Sequence, residues 1–347
     1  MIRVPVGARR AGLFVPLALL ASAALSACGT SVVAPTVHVT GLPSLSISVP
    51  LRVVACTPTD TCVAFGTTGQ QVEPLSVGEY RRASGPWTTL AVPSIPSSSV
   101  SSSSCWPQGC LVGGADPTGD LVWWYHAAAA AVTSATAPTD GHGVQAVSCF
   151  ADQSCAIVDS TGPASSPRLW FTSDAAATWG VPTPLTWASA DTVTSLACTS
   201  ALDCLASAVA LDGPALLEVT HDGGTTWTQR STPTSWTGVS SLSCHARRCS
   251  ALAATTTNRK FVTSDDFGHH WSTYETTGTP AGVACTTAGH CVVVGQIGSQ
   301  RPWLATLRAG SLVAGALTYV PSPLTNVACG THVCAAIAVS TVTQLRP

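Results

Sequence analysis

The chain has 347 residues, with 15 Lys and Arg against 17 Asp and Glu and only 9% charged residues in all. So thinly charged a chain lacks the clustered basic residues that phosphate binding needs, which excludes nucleic acid as a partner. The low charge, together with abundant Ser, Thr, Gly and Pro and 15 cysteines, fits an exported, β-rich and loop-rich protein.

Residues 1–27 read as an export signal. Arg3, Arg9 and Arg10 form a basic start, and Ala11 to Ala24 is an apolar run too short to span a bilayer comfortably. Leu25-Ser26-Ala27-Cys28 follows and resembles the lipobox of bacterial lipoproteins, a resemblance that implies cleavage before Cys28 and lipid on its sulfur. The alternative is an ordinary secretory cleavage near Ala27. Lipidation is preferred because Cys28 is the one cysteine outside the paired set described below. A lipid on Cys28 would anchor the chain to the outer face of the cytoplasmic membrane. Losing three arginines with the signal leaves 12 basic and 17 acidic residues, a formal charge of −5. No other apolar run is long enough to span.

Residues 28–42 read as a tether with one strand around Thr36–Thr40, and residues 43–347 as a single domain. That domain carries one unit seven times. An alternating run ends in a cysteine, and a second cysteine five or six residues on starts an apolar run. The pairs are Cys56/Cys62, Cys105/Cys110, Cys149/Cys155, Cys198/Cys204, Cys244/Cys249, Cys285/Cys291 and Cys329/Cys334. First cysteines recur every 41–49 residues, a period that accommodates four short strands. The residue before each first cysteine is small (Ala55, Ser104, Ser148, Ala197, Ser243, Ala284, Ala328), which suits strands crowded at a central axis.

Each pair brackets a tight hairpin, and directly opposed residues of such a hairpin lie roughly 4.5–5.5 Å apart, within reach of a disulfide. Zinc is the alternative, but it favours C-x2-C spacing with a second ligand pair nearby, and the histidines follow no repeat. Seven disulfides are therefore expected, each contributing on the order of 2 kcal/mol. After the last pair only enough chain remains for two strands, so a strand near Val37–Val39 or Leu45–Val49 is expected to complete the last blade. The expected fold is all-β, a seven-bladed β-propeller of four-stranded antiparallel blades with one disulfide hairpin per blade.

Three repeats carry a second mark, [S/T]-x-D-x-x-x-x-W, at Asp174/Trp179, Asp222/Trp227 and Asp266/Trp271. A carboxylate at a turn accepts backbone N–H groups and a tryptophan covers the turn. The motif resembles the Asp-box, or BNR repeat, of sialidase-like propellers. That resemblance implies a structural turn at the outer part of each blade, so these acids read as fold devices. Elsewhere the motif decays: Gly85-Pro86-Trp87 keeps the tryptophan, and Ala127–Ala131 stands where repeat two would carry the box. The serine-rich stretch Ser94–Ser104 reads as a loop leading into a weak first strand.

The cysteine hairpins would ring one mouth of the axial channel. Their tips vary on a constant frame, as binding loops do, and Trp106, Phe150, His245, Arg247 and Arg248 are the candidates for contact with a partner. The bland reading is solvated turns. At the opposite mouth, the sialidase resemblance implies three arginines, a Tyr/Glu nucleophile pair and an acidic proton donor. Arg168, Arg259 and Arg301 could supply the arginines, but nothing pairs them with the few tyrosines (Tyr80, Tyr125, Tyr274, Tyr319) and glutamates (Glu73, Glu79, Glu218, Glu275), and no F-R-I-P-like motif occurs. His269-His270 falls inside an Asp-box turn, and no metalloprotease, serine-hydrolase or P-loop pattern is found. A seven-bladed Asp-box propeller also resembles the photosystem II assembly factor family, whose members bind proteins. The expectation is a monomeric, non-catalytic surface lipoprotein without cofactor or metal, binding a protein or a glycan, with a sialidase-like hydrolase as the alternative. Glycan binding would call for an exposed aromatic such as Trp106 or Trp303 near a mouth.

Overall fold

A computed structural model describes residues 39–40, 50–67, 76–81, 86–93, 99–138, 141–159, 166–187, 192–210, 213–286, 289–308, 310–315, 317, 322–338 and 341–345. The signal segment, Cys28 and the Leu45–Val49 segment lie outside them. Among the described residues no helix is long and apolar enough to cross a membrane.

Among the described residues all regular structure is antiparallel strand. Six blades are built from four consecutive strands each, over residues 51–90, 99–134, 144–184, 192–229, 236–274 and 279–315, and are numbered 1 to 6 here. The seventh cysteine pair lies in a sheet of different make. Its strands Asn326–Cys329, Cys334–Ala338 and Thr341–Leu345 are consecutive, and the fourth is the two-residue strand Val39–Thr40, paired Val39 to Leu345 and Thr40 to Gln344. The expectation of seven blades is corrected to six self-contained blades and one composite sheet. Three consecutive strands follow blade 6 among the described residues, and the fourth strand of that sheet comes from before blade 1.

The first strand of each sheet is innermost. These strands (Leu51–Cys56, Ser99–Trp106, Val144–Ala151, Thr192–Cys198, Trp236–His245, Thr279–Cys285 and Asn326–Cys329) neighbour one another in a closed circuit and together line an axial cavity of about 500 Å³. Between each pair of neighbouring sheets lies one apolar cluster. Phe65, Trp123 and Tyr125 fill that between blades 1 and 2, while Leu51, Val54 and Ala64 meet Ala335, Ile337 and Val342 where the composite sheet meets blade 1. Burial of this kind contributes about 1.5–3 kcal/mol per large apolar side chain and carries most of the stability.

The alternation of apolar and small residues in the inner strands has a second consequence. In all six self-contained blades the inner strand slips register near its start, as between Val100 and Ser102, Val144 and Ala146, and Val193 and Ser195. In blades 2, 3 and 4 the residue left out of the ladder turns toward the cavity and bonds the next blade. Ser101 Oγ donates to Val144 O, Gln145 Oε1 accepts from Val193 N (3.1 Å), and Thr194 Oγ1 donates to Val239 O. The serines before the cysteines work similarly: Ser104, Ser148 and Ser243 accept from the backbone N–H of Cys149, Cys198 and Cys285 in the following blade. A small hydroxyl residue at the axis thus satisfies a backbone donor that the blade's own ladder cannot reach.

All seven cysteine pairs are joined: Cys56–Cys62, Cys105–Cys110, Cys149–Cys155, Cys198–Cys204, Cys244–Cys249, Cys285–Cys291 and Cys329–Cys334. Their Cα atoms lie 3.9–4.1 Å apart, which corrects the wider spacing expected for opposed strand residues. Each bridge joins directly opposed cysteines at or one pair from the end of the ladder, where the sulfurs draw the two backbones together. Only the turns of the cysteine hairpins stand at the rim of the mouth, and the bridges lie behind them. The second cysteines Cys62, Cys110, Cys155 and Cys204 are buried, at 2% exposure or less, and each belongs to an apolar cluster between neighbouring sheets. The reason is that each opens the second strand of its blade, which adjoining sheets cover. Cys249, Cys291 and Cys334 are buried in the same way. Thiol-reactive labelling of the oxidised, undenatured protein should therefore modify no repeat cysteine. Labelling of several of them would contradict the pairing.

Candidate binding groove at the cysteine-hairpin mouth

The outer hairpins turn back onto the cysteine hairpins, so both kinds of turn share one mouth. Ala175 N–H donates to Gln153 O, Gly223 N–H to Leu202 O and Phe267 N–H to Arg247 O, at 2.8–3.0 Å. Blade 2 makes the same bond from its plain alanine turn, Ala127 N–H to Gln108 O at 2.9 Å.

In the three acidic turns the geometry repeats. Asp174, Asp222 and Asp266 each accept the backbone N–H of the residue four places on (Thr178, Thr226, His270) at 2.8–2.9 Å. Their second oxygens take the Thr178 and Thr226 hydroxyls and the His270 ring nitrogen, and the preceding Thr172, Thr220 or Ser264 hydroxyl closes the turn. The hydroxyl and backbone bonds of Thr178 and Thr226 hold Asp174 and Asp222 below the usual carboxylate range. Both oxygens of each acid are thus engaged in holding its own turn. Trp179, Trp227 and Trp271 are partly buried and lean on the preceding blade, Trp179 through Nε1 to Thr136 O at 2.7 Å.

The sequence-predicted contact residues divide. Trp106 is corrected: it is 2% exposed and packs against Trp124 with ring centroids 3.6 Å apart. Blade 2 closes its hairpin tightly, pairing Trp106 with Gly109, so the ring sits in the strand and not on the tip. Trp303 is likewise buried, with Nε1 on Thr277 Oγ1 at 3.1 Å. Phe150 is partly buried, edge-on to Phe171. His245, Arg247 and Arg248 are exposed at the blade 5 tip and come together on one side of a groove between blades 5 and 6.

That groove has a volume of about 870 Å³. Its other wall brings in Thr286, His290 and Arg308 of blade 6, and Tyr274 and Asp265 join from blade 5. Asp265 is the one acid in the lining among the described residues, held 3.4 Å from Arg248 Nε; both are exposed, and such a pair is worth about 0–1 kcal/mol. Thr286 falls on a cysteine-hairpin tip in the sequence, but neither it nor Arg308 and Tyr274 could be joined to the blade 5 tip, because spacing describes a single blade, whereas the groove forms between two.

The opposite mouth holds Arg168, Arg259 and Arg301 at the start of equivalent strands. Arg168 is bound to the fully buried Asp159 at 2.7 Å and lies over Trp170, whose Nε1 also reaches Asp159. Nearby, Asp120 accepts from Gly143 N–H at 2.7 Å. Of the candidate nucleophile pairs, Tyr125 and Glu218 are buried in their blades and Glu275 is paired with Lys260. Tyr274 lies on the hairpin mouth and packs on Phe261. The side chains of Tyr80 and Glu79, and all of Glu73 and Tyr319, lie outside the described residues. No group of three or more His, Cys, Asp or Glu is placed to hold a metal ion among the described residues.

No family model matches the chain, and no curated protein matches it. Among solved structures it is similar to YCF48 from Cyanidioschyzon merolae (TM-score 0.63, 12% identity, 90% of this chain and 99% of that one). It is also similar to YCF48 bound to D1 peptide (0.61, 11%, 89% and 94%) and to virginiamycin B lyase from Staphylococcus aureus with quinupristin (0.63, 7%, 90% and 99%). At these identities the likeness establishes the propeller fold, and one of the neighbours is an enzyme while another is described with a bound peptide.

Proposed function

We propose that the chain is an exported, lipid-anchored propeller that holds a protein partner on its cysteine-hairpin mouth and performs no chemistry on it. The observation that supports this is the groove between blades 5 and 6: it is walled by hairpin tips of differing sequence, and each tip is fixed by a disulfide. Such a frame presents side chains with little entropy left to lose on association. The neighbour described with D1 peptide is a propeller of similar dimensions engaged with a polypeptide. In this reading the seven sheets act as one closed ring, the protein is a monomer, and no cofactor is needed.

A photoreactive side chain placed at the exposed tip residue Ala246 of the full-length protein should crosslink to a discrete protein in cells. Hydrolysis of any glycan by the purified protein would overturn the reading in favour of a sialidase-like enzyme, and glycan binding without protein crosslinks would make it a lectin. The anchor is tested separately: Cys28→Ser should move the protein from the membrane fraction to the soluble exported fraction. Unchanged retention would disprove lipidation.

A further inference from the structure

We infer that the groove between blades 5 and 6 takes an acidic peptide segment, with carboxylates of the partner received by Arg308, Arg247 and Thr286. This rests on the reading above and specifies the chemistry of the partner's surface.

The charge distribution is the first argument. The exported chain is acidic, −5 by formal count, yet this one groove gathers Arg247, Arg248 and Arg308 with His245 and His290 against a single acid. Asp265 offsets only Arg248, and weakly. Arg247 and Arg308 have no ion pair among the described residues. The second argument is independent of charge. Thr286 is 4% exposed and its hydroxyl has no hydrogen-bond partner among the described residues, and the buried Nε of Arg308 also lacks one. A buried polar atom left unpaired costs about 1–3 kcal/mol, and two such donors lie in the wall of this one groove. Both groups can donate. The complementary ligand is therefore an acceptor carrying negative charge, and a carboxylate matches the planar arginine fork. The groove spans the tips of two hairpins, which suits an extended segment bearing more than one acid.

Full-length protein in detergent is titrated against fluorescein-labelled hexaglutamate, with hexaglutamine as the uncharged counterpart, and binding is read by anisotropy. Hexaglutamate should bind, and affinity should fall with added salt. Arg308→Ala and Arg247→Ala should each weaken it about tenfold, and Thr286→Val several-fold, as expected for charge-assisted bonds. Arg301→Ala, on the opposite mouth, should leave it unchanged. Arg308→Lys, which keeps the charge but loses the fork, should fall between. Thermal unfolding of each variant confirms that it is folded. Equal binding of hexaglutamine, or folded Arg308→Ala and Arg247→Ala proteins with unaltered affinity, would overturn the inference. So would arginine-dependent binding of phosphatidylglycerol vesicles in place of the peptide. Crosslinks from position 246 that persist in Arg308→Ala would remove the acidic chemistry and leave the protein-holding role standing; absence of any protein crosslink would remove that role itself.

Discussion

Replacing Asp60 with alanine should destabilise the propeller by about 2–4 kcal/mol, more than loss of any exposed ion pair. Asp60 sits on the first cysteine hairpin, and its carboxylate reaches across to the last one. Oδ1 accepts the backbone N–H groups of His332 (2.8 Å) and Val333 (3.2 Å), and Oδ2 faces His332 Nδ1 at 2.9 Å. The Asp60 side chain is only 11% exposed, and Thr331 Oγ1 adds a bond to Pro58 O at 2.6 Å. The strand Val39–Thr40 pairs with the last sheet and the chain then leads on to blade 1, and the clasp and the apolar cluster beside it close the same seam between the two hairpins. Alanine would strand two backbone donors, one of them buried. It would also leave a non-glycine, non-Asx residue at φ 63°, a conformation that Asp tolerates better. Gly330 shows how tight the joint is: a Cβ there would meet Asp60 Oδ1 at 2.5 Å and Thr57 O at 2.6 Å.

The measurement is the thermal midpoint together with amide exchange. The midpoint of Asp60→Ala should fall by roughly 5 °C or more, and exchange should rise first in the inner strands of blade 1 and the composite sheet. Asp60→Asn, which retains an acceptor for the backbone donors, should lose much less. An unchanged midpoint in Asp60→Ala would show that apolar packing and the pairing of Val39–Thr40 seal the ring without the clasp.

How much of this was legible in the chain depends on whether a feature lies within one repeat. Cys244 and Cys249 could be paired from sequence because a hairpin is local, and Asp222 could be assigned to its turn because its partner Thr226 is four residues away. The burial of Cys62, Cys110, Cys155 and Cys204 was not legible, because the side chains that cover them come from neighbouring sheets. Trp106 was misplaced because spacing shows where a residue falls in a hairpin but not which way a two-residue turn aims it. The clasp from Asp60 to His332 spans 272 residues and leaves no periodic trace. Arg308 and Thr286 belong to the same class, meeting the blade 5 tip only after the blades assemble. The serines before Cys149 and its equivalents were seen as small; their hydroxyls acquired meaning only once the neighbouring backbone donors were in place.

The second large effect is a pH dependence carried by Asp120. Burial is the main cause that pushes its carboxyl up from 3.8 to about 6, partly opposed by the Gly143 N–H; Asp159 adds to the rise, while Arg168 and His142 counter it. Oδ2 is buried and without a hydrogen-bond partner among the described residues, and the backbone at Gly141 is pressed so close that a Cβ there would fall 1.8 Å from that atom. Because the folded chain holds this proton more tightly than the unfolded chain does, the stabilising contribution is fully present below about pH 4 and is lost as pH rises through about 6. A shift of this size corresponds to about 3 kcal/mol at most, or about 1–2 kcal/mol once solvent screening is allowed for. Burial raises Glu218 in the same direction, its bond from Thr186 only partly offsetting it. Asp174 and Asp222 act oppositely: their pKa values are lowered, so what they contribute is present above their ordinary range and lost as pH falls below it. Stability should therefore peak between about pH 4 and 6 and decline toward neutrality. Asp120→Asn, which keeps the acceptor for Gly143 but cannot ionise, should flatten the decline between pH 4 and 7 and leave the loss at lower pH in place. Denaturant midpoints measured across that range decide the matter: a variant whose pH slope matches that of the unaltered chain would place the dependence on other groups, with Glu218→Gln the next to measure.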